Sequence, residues 1–132
     1  MYPDRLSMPS LPTSTFPSSR LVILLNAASI ETPDALIVPL RYATTAAAMD
    51  VAVEIHAVSD SVLFFRLGAV SAELLALIRQ AAAHGVEFYV CPVAMTAQGL
   101  SSGDLIEEVL GVRGAASLLV AGLESGARFL VF

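Results

Sequence analysis

Cys91 is the chain's only thiol, and it stands between the short apolar run 86–90 and Pro92. Proline suits the first position of a helix, which places Cys91 at or beside the N-cap. There the unpaired backbone N–H groups and the positive end of the helix dipole favour a thiolate, the form that attacks sulfur or carbon electrophiles. The competing reading is burial, since a cysteine that ends an apolar strand commonly belongs to the core. No arginine lies near Cys91 in sequence, so further activation has to come from elsewhere in the fold. Dithiol redox chemistry needs a resolving partner, and the chain has no Cys-x-x-Cys. A single thiol also cannot form an internal disulfide, which fits a reducing, cytoplasmic compartment.

The other ionisable candidates are sparse. His56 and His84 are the only histidines. His56 falls near the end of an apolar run, where it is a candidate base or donor. His84 precedes Gly85 in a helical pattern and is better read as a cap on the last carbonyls. Asn26, Ser29 and Asp60 follow apolar runs and are candidate pocket residues, although solvated side chains are their ordinary state. Glu31 sits in a similar loop. The backbone of residues 26–29 is a candidate cradle for a small anion. Met95, four residues after Cys91, faces the same side of a short helix and serves as core or pocket wall. No spacing suits a metal, because zinc needs three or four convergent ligands. Glycine-rich nucleotide loops and a Gly-x-Ser-x-Gly elbow are absent too, so no cofactor is expected.

Elements able to hold these residues follow from the hydrophobic pattern. Residues 1–19 form a Pro/Ser-rich tail with little periodicity, and residues 20–132 make one domain. Residues 21–25 are continuously apolar, as in a strand covered on both faces. Thr32, Pro33 and Asp34 predict an N-cap, a first helical position and an acid in the first turn, with the helix running to Met49 and a kink or break at Pro39. A second strand is expected over 51–58, then a loop or short helix over 59–70 that is oddly apolar at 62–65. A helix from Ser71 to His84 ends at Gly85, a third strand covers 86–90, and a short helix covers 92–99. Residues 101–111 fit no single pattern. Residues 114–125 read as helix and 128–132 as a last strand. Strands separated by helices predict a parallel sheet with right-handed crossovers, a three-layer α/β sandwich of the flavodoxin-like kind with about five strands.

Composition limits the partners. Of 132 residues 56% are apolar and only 14% charged, with a mean hydropathy of +0.75; soluble domains carry about 25% charged residues. Residues 88–103 form the longest uncharged stretch, but Pro92, Gln98, Gly99 and two serines interrupt it, so no membrane is expected. Part of the apolar excess is alanine, and the remainder suggests a face buried between subunits. Residues 62–65 and the helix segment 44–49 are candidate subunit contacts, with ordinary core packing an equal alternative. The net charge of −5 comes with seven scattered arginines and no lysine, which argues against nucleic acid.

Residues 85–95, with Gly99 and Leu100 after them, resemble the DsrE/DsrF-like family of small sulfur-handling proteins, which includes TusD-type relay subunits. The resemblance continues through 104–107, 114–116 and 127–132, and the upstream half agrees in layout, so it spans 20–132. It implies a compact α/β domain assembling as homotrimers, hexamers or hetero-oligomers. It also implies that Cys91 accepts sulfane sulfur as a persulfide from a donor protein and passes it to an acceptor. Persulfide transfer needs only one thiolate per protein. The alternative is a non-catalytic oligomeric module that binds a small ligand or a partner protein. A flavodoxin-like nucleotide or flavin site rests on fold analogy alone.

Overall fold

The computed structural model describes residues 19–132, so the Pro/Ser-rich tail lies outside the described residues except for Ser19. Five strands, β1 (Arg20–Leu25), β2 (Ala52–Ala57), β3 (Glu87–Val90), β4 (Val109–Val112) and β5 (Ala127–Val131), form one parallel sheet in the order β4-β3-β2-β1-β5. The helices are α1 (Ile37–Ala48), α2 (Ala72–Ala83), α3 (Pro92–Ala97) and α4 (Ala115–Leu123). Helices α1 and α2 pack together on one face, and α4 lies across β1 and β5 on the other. The expected three-layer α/β sandwich is therefore the observed architecture.

Sequence signals set most boundaries. The Ser71 side chain accepts the Leu74 N–H at 3.2 Å and caps α2, and Gly85 follows at φ +98°, a left-handed conformation that favours glycine. The N-terminal half of the first helix differs from expectation. Residues Pro33–Leu36 form a 3-10 turn, and α1 begins only at Ile37, because Pro39 has no N–H to give to the carbonyl four residues back. Thr32 makes no capping bond through its side chain to the turn that follows.

The apolar connection after β2 also resolves differently. Ser59–Phe65 is a 3-10 helix whose Val62, Phe64 and Phe65 are buried within the chain itself, so the subunit-contact reading of 62–65 gives way to core packing. The Ser61 hydroxyl pins this segment to the carbonyl of Leu25 at 2.7 Å. Residues 101–111 divide into a 3-10 turn, Ser102–Asp104, closed by a reciprocal Ser101–Asp104 capping box, and then β4. Two hydrogen bonds from Ser101 hold the Asp104 carboxyl below the usual carboxylate range.

Strand alternation makes the two sheet faces unlike. Ile23, Leu25, Val53, Ile55, Ala57, Phe88 and Val90 meet Leu40, Ala43, Leu74, Ile78 and Ala81 of α1 and α2 in the main core. The opposite face presents Val22, Glu54, His56, Glu87 and Tyr89. On that side α4 settles closely over β5. A Cβ placed on Gly122 falls 1.9 Å from the Phe129 ring, so glycine is what permits this contact. Gly122→Ala is expected to destabilise the domain by roughly 1–3 kcal/mol in urea denaturation, as overpacking does. The double variant with Phe129→Ala should show clear non-additivity, because removing the ring removes the clash.

Candidate functional site

The carboxyl edge of the sheet gathers most of the residues singled out from sequence. Cys91 ends β3 as the N-cap of α3, in extended conformation (φ −78°, ψ 129°), with Pro92 at the first helical position. It is half-buried, packed in part against the main core and in part open. Its N–H donates to the Ala57 carbonyl at 2.9 Å and its carbonyl accepts from Met95 at 3.0 Å, so the backbone on both sides of the thiol is fixed. A one-residue bulge at Leu110 of β4 then brings Arg113 alongside, and the Arg113 N–H donates to the Val90 carbonyl at 2.9 Å. An arginine distant in sequence is thus tied by its backbone to the end of β3, next to the residue that precedes Cys91.

The remaining edge residues have other duties. Asn26 is exposed, and the N–H groups of Asn26 and Ala27 both donate to the Phe132 carbonyl, at 2.7 and 3.0 Å. These two amides therefore serve the C-terminus and do not form an anion cradle. Ser29 is half-buried and closes a local turn by accepting the Glu31 N–H at 3.2 Å. The Asp60 carboxylate accepts from the Gln98 side chain at 2.8 Å and ties the Ser59–Phe65 turn to α3. Met95 is buried in the main core. His84 directs Nδ1 to the Gln80 carbonyl at 2.9 Å, at the end of α2.

His56 has a more consequential setting. It is 2% exposed on β2, with Nε2 2.8 Å from Oε1 of Glu54, itself 3% exposed. The other Glu54 oxygen pairs with the Arg20 guanidinium, which also reaches Glu124 at 3.3 Å. Arg113 approaches Glu54 at 3.7 Å and lies over the Tyr89 ring, 3.9 Å from its centroid, in a cation–π contact. The Tyr89 ring also stacks on His56 at 5.2 Å, and its hydroxyl donates to Glu87 at 3.0 Å. Burial raises the Tyr89 hydroxyl above its ordinary value, and the bond to Glu87 acts in the same direction. Burial holds His56 below its ordinary value, against the opposing pull of Glu54. Beneath α4 lies a cleft of about 650 Å³ whose sheet side carries Arg20, Glu54, Glu87 and Arg113. Its helix side is formed by Ala116, Ser117, Val120 and Ala121.

Of this cluster, sequence patterns single out His56 alone. The available signal is the alternation itself: Glu54 and His56 share one face of an otherwise apolar strand, and Glu87 and Tyr89 share the same face of the next. Glu54 pairs with Glu87 and His56 with Tyr89 in register. Two polar rows side by side on one sheet face mark a surface built for something other than packing.

The pattern of the DsrE/DsrF-like family matches residues 20–132, the whole described domain apart from Ser19. The chain belongs to the DsrE/DsrF-like family. Solved structures of the same fold include MTH1491 of Methanobacterium thermoautotrophicum, a protein of unknown function. It has a TM-score of 0.68 and 22% identity over 87% of this chain and 100% of that one. The ychN protein of E. coli follows, with a TM-score of 0.70 and 18% identity over 86% of this chain and 98% of its own. BT1422 of Bacteroides thetaiotaomicron, also of unknown function, has a TM-score of 0.66 and 17% identity over 90% of this chain and 99% of that one. No curated protein matches the chain. At these identities the structural likeness establishes the fold. Among the described residues of this DsrE/DsrF-like chain, no helix is long and apolar enough to cross a membrane.

The depressed proton affinity of His56 has a defined consequence for stability. The unfolded chain binds that proton first, so the contribution is fully present above the ordinary value of 6.5 and is lost as pH falls through and below it. Urea denaturation is expected to show stability declining from neutral to mildly acidic pH, and His56→Gln should flatten that decline. Glu54→Ala removes the common partner of Arg20 and His56 and is expected to cost on the order of 3 kcal/mol.

Proposed function

We infer that this DsrE/DsrF-like protein is a sulfur carrier: Cys91 accepts sulfane sulfur as a persulfide and passes it to a partner protein. The observation that carries this reading is the setting of Cys91. It is the single cysteine, half-exposed at the carboxyl edge of a parallel sheet, where functional groups collect in such folds. The bonds to Ala57 and from Met95 fix its backbone, and the Arg113 N–H holds the carbonyl of the preceding Val90. Family membership supports sulfur chemistry in general, and a lone thiol suffices for relay because the second sulfur belongs to the donor or acceptor. The same thiol chemistry favours a reducing, cytoplasmic setting.

Surface composition supports assembly into a homotrimer or hexamer. Leu119, Val120 and Leu123 of α4, the last 78% exposed, stand near Phe129 and Val131 of the β5 edge. Leu110 and Val112 leave a second apolar strip on the opposite edge. Bare strand edges with apolar side chains are pairing surfaces unless covered. This surface also favours the second reading, an oligomeric module that holds a small ligand or partner without sulfur transfer.

Intact-mass measurement after incubation with a small organic persulfide separates the two readings. Sulfur carriage predicts one added sulfur atom per chain, absent in Cys91→Ser and removed by a thiol reductant. A chain that stays unloaded while binding partners normally belongs to the second reading. Light scattering is expected to give a mass that is a multiple of the 13.8 kDa chain.

A further inference from the structure

We propose that the cleft beneath α4 binds a small zwitterion of the amino-acid type, with Arg113 taking its carboxylate and Glu87 its ammonium group. The site stands apart from Cys91 and goes beyond sulfur carriage.

The charges around the cleft are not all used by one another. Arg20 serves two acids, Glu54 and, at 3.3 Å, Glu124. Arg113 and Glu87 are the other charged residues of the lining. Arg113 comes only within 3.7 Å of Glu54, and among the described residues its guanidinium makes no hydrogen bond. Half-buried Glu87 accepts from the Tyr89 hydroxyl at 3.0 Å and, among the described residues, has no cation of its own. It also stands in register with Glu54, and like charges at facing positions of neighbouring strands repel. A fork of donors and a carboxylate thus line one cavity, each with unused capacity.

Tyr89 holds both charges in place. Its ring is 5% exposed and carries the Arg113 guanidinium over its face, while its hydroxyl holds Glu87. His56 packs against the same ring, and the Arg113 backbone is fixed by its bond to the Val90 carbonyl. Two opposite charges on free side chains would close on each other, yet among the described residues no ion pair joins these two. Groups already held in position lose little freedom when a ligand arrives, so they give up little of its binding energy.

The shape and charge of the cleft select the ligand. A volume of about 650 Å³ falls within the range of small-molecule sites, roughly 300–1,000 Å³. A planar carboxylate matches the guanidinium fork, and an ammonium group matches Glu87. Ala116, Val120 and Ala121 of α4 offer an apolar wall to a short side chain, with Ser117 beside them. A ligand that is only anionic meets the Glu54 and Glu87 carboxylates, and one that is only cationic meets Arg20 and Arg113. Nucleotides, with several negative charges, face three glutamates here. Opposite charges a few bonds apart satisfy both sides at once.

Titration calorimetry on the full chain with three matched probes tests the site. L-norvaline carries both charges, pentanoate is the same molecule without its amine, and butylamine is the same without its carboxylate. L-norvaline is expected to bind, and each analogue at least about tenfold more weakly, as suits the loss of one charge-assisted contact. Amide signals of Ala116, Ser117 and Ala121 should shift with saturation. Glu87→Gln keeps an acceptor for Tyr89 but should make L-norvaline no better than pentanoate. Arg113→Gln should make it no better than butylamine. Tyr89→Phe keeps the ring and frees Glu87, so L-norvaline should weaken while pentanoate does not, a split that general loosening of the fold would not produce. If a variant fails to fold, the three probes on the wild type decide alone. Equal binding of all three, shifts confined to other parts of the chain, or no binding at millimolar probe would overturn the proposal. Assembly that closes the cleft with a second copy would give that last result. Binding is read without sulfur loading, so the outcome is separate from the fate of Cys91.

Discussion

One carboxylate organises the second face of the sheet. Glu54 lies on a central strand with almost no exposure, and a buried charge is tolerated only when it is paired and hydrogen-bonded. Its partners come from across the fold: Arg20 from the start of β1, His56 from its own strand and Arg113 from beyond β4. Each partner is in turn committed, Arg20 to Glu124 below α4 and Arg113 to the face of Tyr89. The network holds the β4–α4 junction over β3 and leaves space between α4 and the sheet. Helix α4 consequently rests on β1 and β5, and β2 and β3 keep a polar surface. Apolar burial is concentrated on the other side, where α1, α2 and the Ser59–Phe65 turn close the core.

Local chemistry made the first half of this architecture legible. Ser71 and Gly85 bracket α2, and Pro92 after a β-rich run places Cys91 at an N-cap, because these residues act through their own backbone. The family resemblance and the matched region coincide over 20–132. The segments that stayed ambiguous share a cause. Residues 62–65 look like an interface because a connection of that length is ordinarily polar, yet this one folds as a 3-10 helix under the sheet edge and supplies two core phenylalanines. Residues 101–111 have no period because the segment divides into a capped turn and a four-residue strand. Arg113 is invisible as a partner of Tyr89 and Glu54, because its approach depends on β3–β4 pairing and on the bulge at Leu110. Sequence reports what a residue does to its own backbone far better than what it meets across a sheet.

The apolar excess of the chain divides along the same lines. Most of it fills the main core and the alanine-rich helices, and part of the exposed remainder stays on α4 and on the two sheet edges. Those edges are the β4 and β5 strands: β4 carries the bulge, and β5 receives α4 through Gly122. The surfaces available for another subunit are therefore positioned by the same elements that shape the cleft. Any contact on α4 bears directly on the helix wall of that cleft, since Val120 belongs to both.

The polar face has a gradient of its own. Glu54, 3% exposed, marks its inner end, and His56 lies two residues nearer the carboxyl edge, against Tyr89 and within the field of Arg113. Arg113 ties this row to the end of β3, because its N–H holds the Val90 carbonyl while its guanidinium reaches back over Tyr89 towards Glu54. Cys91 follows Val90 directly, yet it packs in part against the apolar core on the other side. The end of β3 is therefore where the two unlike faces of the sheet meet, and the buried carboxylate fixes the polar one from within.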